Sequence, residues 1–542
     1  MTMPPRRPDV PTKQPPAPAT PSRGPATSTR GPAAPSRQPG VPAKQPAVPT
    51  TSRAARAGRT LERPRGALVT LVRGRWLKTI PGRIRGWTVL AVVTVAAIAL
   101  ALMLGIQDAR QGVQTIGHDA GPQVVATGNL YFALSDMDAQ VADILLIGRD
   151  QTLGIGRTES LRRYEQARSD ASRAAIQAAQ LAGKDNDRKQ TVQEVIDGLG
   201  QYQRLVGQAL TLNDQSLHPV GEAPQSVVGT YQQASDLMKL ELLPKAYNLT
   251  LDSGATVRQS YQEKRTSVLS GRYWVLAAGG AALLVLVIGQ LAIGREFRRL
   301  LNPGLALATV GTIVLVSVGV GVLDSQAGHL LRAKRDGFDS VLTMSRARAI
   351  SHSAFADESR FLLDPGRADT YEQNYLDKAS TILFVEPPKD TPANLATYYK
   401  LAGKAAKDYR PENRSAFLGL LGDEARQVRK GTESDALSRA LDAYATVLSN
   451  DQHMRALVAS GDRRGAIDFR MGRGSSAIRD FDAYDAALRS LAATHSGAFD
   501  HAIQQADGGL KGWKAIPPVA AVVIAALVLV GVRPRLAEFG RI

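Results

Sequence analysis

GWTVLAVVTVAAIALALMLGI, residues 86 to 106, is the stretch on which the fold turns. It carries no charged side chain, and about 21 residues rising about 1.5 Å each match a hydrocarbon core of roughly 30 Å, so it reads as a transmembrane helix. Residues 273 to 294, 305 to 323 and 516 to 532 read the same way, the last bounded by Pro517, Pro518 and Arg533. Four spans place both termini on one side. Arg73, Arg75, Lys78, Arg83 and Arg85 precede the first span, Arg295, Arg298 and Arg299 follow the second, and Arg533, Arg535 and Arg541 follow the fourth. All three basic clusters fall on one face, which the positive-inside rule makes cytoplasmic. The expected protein is therefore a multi-pass plasma-membrane protein with both termini cytoplasmic and two long segments, 107 to 272 and 324 to 515, outside. The first span has 85 residues before it, too many for a signal-peptide n-region, and reads as an uncleaved anchor.

Charge is distributed unevenly. Residues 1 to 85 hold 17 Lys+Arg against 2 Asp+Glu, residues 107 to 272 hold 17 against 19, and residues 324 to 515 hold 27 against 26. Nearly all of the net charge of +18 thus lies in the N-terminal tail, beside a membrane span, where anionic headgroups are a nearer partner than nucleic acid. The tail repeats units such as VPAKQPAVPT (41 to 50), too polar and proline-rich to bury a core, and is expected to be disordered. The chain has no cysteine, so packing alone must stabilise the outer segments.

Both outer segments read as helical. Leu130, Leu134, Met137, Val141 and Leu145 keep helical spacing in the first, and Phe481, Tyr484, Leu488 and Leu491 in the second. Breakers divide the first segment into helices near 107 to 149, 157 to 183, 186 to 215 and 225 to 270. The outer helices should continue directly from the spans, giving two tandem elongated bundles. The plan of span, outer segment and span occurs twice, joined by the inner link 295 to 304, and suggests a duplicated unit. Pro244 falls inside the last long helix of the first bundle, where it would kink the helix or form a hinge. Gly279, Gly280, Gly311, Ser317, Gly319 and Gly321 would let membrane helices approach closely, or are ordinary span glycines.

No span contains Asp, Glu, Lys, Arg or His, which disfavours an ion or substrate pathway. No zinc, calcium, nucleotide-binding, kinase or nucleophile-elbow motif is present, so no cofactor, metal or catalytic residue is expected. The cytoplasmic pieces are too short to fold as a catalytic domain, and a non-enzymatic role is expected. Asp136, Asp138 and Asp143 lie on one helix, and Asp357, Glu358 and Arg360 on another. Asp136 and Asp143, seven apart, share a face; the plain reading is a solvated surface, and the other is an outer recognition site.

NLYFALSDMDAQVADILLIG (129 to 148), ARAISHSAFADESRFLLDPGR (347 to 367), FDAYDAALRSL (481 to 491) and RPRLAEF (533 to 539) resemble the GlnX-type membrane proteins of actinobacteria. The resemblance implies bundles similar to the four-helix sensor domains of chemoreceptors. It also implies a relay in which a glutamine-binding-type lipoprotein detects aspartate or glutamate and a soluble serine/threonine kinase responds. The long cytoplasmic coiled coil of chemoreceptors is absent here, as a relay that borrows its output module requires. Arg295, Arg298, Arg299, Arg533 and Arg535 would then form the kinase-facing surface. Homo-oligomerisation stays open, as do direct sensing of a small molecule and an envelope scaffold.

Overall fold

The computed structural model describes residues 80–150, 153, 156–183, 185–297, 302–412, 417–428, 431–472 and 477–538. The basic tail up to residue 79, Arg298 and Arg299 lie outside these, as does the side chain of Arg535. The described residues are helical throughout, apart from connecting loops and one isolated antiparallel bridge between Phe384 and Leu418.

Helix α1 (Ile80–Val113) passes through a π-helical turn, Gln114–Ala120, straight into α2 (Gly121–Ile147). α3 (Gly156–Leu181) and α4 (Asn186–Gln215) follow, the latter started by the Asp185 side chain, which accepts from the Arg188 N–H. α5 (Gln225–Leu237) runs through a second π turn, Met238–Leu242, into α6 (Leu243–Phe297). The second half opens alike: α7 (Pro303–Arg332), a π turn at Ala333–Phe338, then α8 (Asp339–Leu363). Shorter helices follow, α9 (Ala368–Ile382), α10 (Leu395–Lys407) and α11 (Leu420–Gln427). The long α12 (Thr432–Ala459), α13 (Arg463–Met471), α14 (Ala477–Gly509) and α15 (Ile516–Glu538) complete the chain.

Four of these helical runs are apolar and long enough to cross a membrane, at Gly82–Ile147, Gln225–Arg295, Pro303–Leu363 and Ile516–Pro534. The first three are far longer than a bilayer needs, so their remaining turns stand clear of it. The fourth differs from expectation. α14 does not flow into α15, because Gly508, Gly509 and Gly512, the last at φ +79°, and then Pro517 and Pro518 break the helix at the membrane boundary. Pro244 does not break its helix. The π turn immediately before it, in which the Leu243 N–H donates to the Met238 carbonyl, widens the backbone where proline cannot donate, and α6 runs on.

Two large apolar cores divide the molecule. One gathers residues from all four spans, such as Ile98, Leu102, Leu286, Leu315 and Val528. The other lies beyond the spans and draws on both outer segments at once, with Leu134, Tyr202 and Tyr231 beside Ile350, Tyr444 and Leu488. The expected pair of separate tandem bundles is thereby corrected: α2 packs along α8 as well as along α3, and the two segments share one interior. Each long helix exposes more apolar face than its own segment covers, and the other segment buries the remainder.

The span glycines divide by position. A Cβ at Gly279 or Gly319 would sit 2.6 Å from Val316 or 2.4 Å from Leu102, whereas at Gly280 or Gly321 it would meet nothing within 4 Å. The closest backbone-to-backbone approach among the spans falls at an unanticipated pair: a Cβ on Gly304 would lie 2.7 Å from the Gly531 Cα, and Asn302 Nδ2 donates to the Gly531 carbonyl at 2.7 Å. Backbone there touches backbone, with no flexible side chain to yield. Gly304→Ala is expected to lower the thermal midpoint of the detergent-solubilised protein, whereas Gly321→Ala should leave it unchanged. Equal midpoints for the two would show that α7 and α15 do not make this contact.

Candidate functional site

The six candidate recognition residues come together, but inside the protein. Asp138, Asp143, Asp357, Glu358 and Arg360 are buried and Asp136 nearly so, all along the seam where α2 meets α8. The solvated-face reading is overturned, because the polar face of each helix is turned toward the other rather than toward water. At the lower end of the seam His352 Nδ1 lies 3.1 Å from Asp136 Oδ1, and its Nε2 lies 3.3 Å from Asp485 Oδ1. Arg348 donates twice to the same Asp485, at 2.8 and 3.1 Å, and stacks over the Phe132 ring. Burial alone would lower the His352 pKa, but the two carboxylates overcome it and raise it from 6.5 to about 9. The imidazole is thus charged and bridges the two halves.

Farther from the membrane the seam has two polar sides. Toward the first segment, Arg360 is 0 % exposed and reaches Asp138, Asp357 at 2.5 Å and the Tyr231 hydroxyl at 3.0 Å. Tyr202 donates to Asp138 at 3.0 Å; Lys239, at 3.0 Å, and Lys378 complete the surroundings of Asp357. Three cations therefore face two carboxylates. Burial would raise the Asp357 carboxyl, yet Lys378, Lys239 and Arg360 hold it well below the usual carboxylate range. Burial and the neighbouring Arg360 bring Lys239 down to about 8. Toward the second segment, Arg470 lies over the Phe355 ring, with Nε 3.0 Å from Glu358 Oε2 and Nη2 3.3 Å from Asp143 Oδ1. Ser359 donates to Asp143 at 2.5 Å. One guanidinium faces two buried carboxylates here, and burial pushes both Glu358 and Asp143 up.

The spacing of these contacts carries information. Asp136 meets His352 and Asp143 meets Ser359, and in both pairs the partners are 216 residues apart. Adding the same 216 to Gly105, Asp108, Gly112 and Gly121 gives Gly321, Asp324, Gly328 and Gly337. Positions at one fixed offset therefore meet along α2 and α8, as two helices running parallel and in register require. The residues that meet at this offset along the seam, Asp136 with His352 and Asp143 with Ser359, are unlike, and the identical pairs lie nearer the spans. Sequence reasoning missed His352, Ser359, Tyr202, Lys239, Lys378, Arg470 and Asp485. The 216-residue offset was the one signal that could have led to the first two.

The candidate inner residues are placed apart from the seam. Arg295 is exposed near the end of α6 and Arg533 is exposed on α15. Among the described residues no group of His, Asp and Glu is arranged to hold a metal ion.

The family model of an actinobacterial sensor domain matches residues 112 to 262, from the end of α1 into α6. The match includes α2, with Asp136, Asp138 and Asp143, and supports a sensor-type protein. No curated protein and no solved structure matches the chain.

Proposed function

We propose that the chain is a transmembrane relay that conveys extracytoplasmic amino-acid supply to a cytoplasmic serine/threonine kinase. One observation carries the reading: α2 and α8, each continuous with a membrane span, are joined to each other along a buried ionic seam. A helix cannot slide or rotate at its outer end without moving the span below it, and a seam of discrete ion pairs favours a few defined registers over a continuum. The match to a sensor domain over part of this region supports a sensing role. The finer parts of the proposal are a solute-binding lipoprotein as the outer partner, aspartate or glutamate as the signal, and Arg295 and Arg533 as part of the inner surface.

Tagged protein isolated from native membranes is expected to carry a solute-binding lipoprotein in amounts that change with added glutamate or aspartate. Recovering only division or cell-wall proteins would replace the relay with a scaffold. Arg295→Glu combined with Arg533→Glu is expected to abolish the amino-acid-dependent kinase response while the outer partner is still recovered. An undiminished response would remove both residues from the output surface.

A further inference from the structure

Near the basic face of the spans, where Arg83, Arg295 and Arg533 lie, α1 and α6 part around a crevice of about 40 Å³. α1 lines it with Ile84, Trp87, Thr88 and Ala91, and α6 with Leu286, Gly289 and Ile293. Offsets of three, four and seven keep each set on one helix face. The buried Leu305 of α7 and Val532 of α15 complete the lining, so all four spans contribute. The gap has a cause in the sequence: Ala91 and Gly289 are too short to fill the space between the helices, and a Cβ on Gly289 would meet nothing nearer than Leu305 at 3.9 Å. From Arg83 to Ala91 the wall runs about 12 Å into the span.

The lining is apolar except at its mouth. Thr88 donates its hydroxyl to the Ile84 carbonyl at 2.9 Å, which leaves Arg83 and the Trp87 indole N–H to offer polar contacts. Among the described residues Arg83 has no carboxylate partner and the Trp87 N–H no acceptor. Arg533, next to Val532, and Arg295, two residues past Ile293, are exposed and equally without a described counter-charge. Three unpaired guanidinium groups therefore mark this end of the spans.

The occupant follows from where the crevice lies. Every lining residue belongs to a helix long and apolar enough to cross a membrane, so hydrocarbon surrounds it. Water finds no partners along the apolar walls, and a slot so long and narrow suits a single hydrocarbon chain. The unpaired arginines favour a negatively charged headgroup, and an interfacial indole N–H suits the carbonyl oxygens that join headgroup to chain.

We infer that this crevice binds an anionic phospholipid, with one acyl chain lying along Trp87, Ala91 and Gly289, its phosphate bound by Arg83 and an ester carbonyl by the Trp87 indole. The inference stands apart from the relay reading, since neither a lipoprotein nor a kinase enters it. Because α1 continues through its π turn into α2, the lipid would touch the same helical run that carries Asp136, Asp138 and Asp143.

The test uses the full chain in detergent, titrated with dioleoyl phosphatidylglycerol, dioleoyl phosphatidylcholine or glycerol phosphate. Native mass spectrometry counts the retained lipid, and the thermal midpoint is recorded alongside. Phosphatidylglycerol should be retained and raise the midpoint, phosphatidylcholine should do so more weakly, and glycerol phosphate, which has no chains, should do neither. Arg83→Gln should lower the preference for phosphatidylglycerol about fivefold, the contribution of one arginine beside an anionic headgroup. Gly289→Leu should fill the crevice and reduce retention of both lipids. Gly280→Leu, on the same helix but outside the crevice and with nothing within 4 Å of its Cβ, should not. Arg83 is exposed and has no ion pair among the described residues, so Arg83→Gln decides even if Gly289→Leu fails to fold. Equal retention of the two lipids by the parent chain, or an unchanged preference in Arg83→Gln, would overturn the inference. A midpoint raised as far by glycerol phosphate as by phosphatidylglycerol would make this a site for a free anion and overturn it too.

Discussion

Arg360→Met is expected to destabilise the protein by about 3–5 kcal/mol, the cost of removing one partner from a buried ionic group. Arg360 has no contact with water and binds Asp138, Asp357 and Tyr231 together. Without it Asp138 keeps, among the described residues, the Tyr202 hydroxyl as its side-chain donor, while Asp357 retains Lys239 and Lys378. The damage should therefore concentrate at Asp138, and the double variant Arg360→Met/Asp138→Leu should recover part of the loss by removing the orphaned carboxylate. Chemical unfolding of the solubilised protein, followed by helix signal, measures all three. Removing the exposed pair Lys404 and Asp408 should change nothing measurable. If Arg360→Met matched that surface control, the seam would not be a closed ionic interior.

The alkaline limb of the stability profile should fall away when His352 is present and flatten when it is replaced. Its folded pKa, about 9, exceeds its ordinary 6.5, so its contribution is complete below 6.5 and is lost as pH rises through 9. That difference corresponds to roughly 3 kcal/mol. Asp136 and Asp485 act in the opposite direction: their pKa values are lowered, so their contribution is present above the carboxylate range and is lost in acid. Lys239, lowered to about 8, opposes the histidine, because stability rises as it loses its proton. The comparison that decides is therefore between the parent chain and His352→Gln over about pH 6 to 10, a range that brackets the shift. His352→Gln should be less stable at the acid end of that range and should lose little further toward the alkaline end. An unchanged alkaline limb would show that His352 is not held between the two carboxylates.

The local patterns of the chain were sufficient for its linear plan. Charge-free runs of bilayer length located the four spans, and glycine and proline breakers located the helix ends. The helix expected at 186 to 215 is α4, and that expected near 157 to 183 is α3 at Gly156–Leu181. The same patterns picked out Asp136, Asp138, Asp143, Asp357, Glu358 and Arg360 as a set without revealing that they are buried. Each of these carboxylates sits on a helix whose polar face looks solvated until another helix covers it.

What covers it lies more than 200 residues away for Asp136, Asp138 and Asp143, and no helical period extends that far. Hydropathy and helical spacing report how a segment meets its immediate surroundings, water or lipid, and so they determined the spans and the outer helices. Only tertiary packing brought α2 against α8, merged two expected bundles around one core and turned an apparent surface into a buried seam. The physical reason is that burying a charge becomes tolerable only when a partner of opposite sign arrives with it, and that partner is supplied by the other half of the chain.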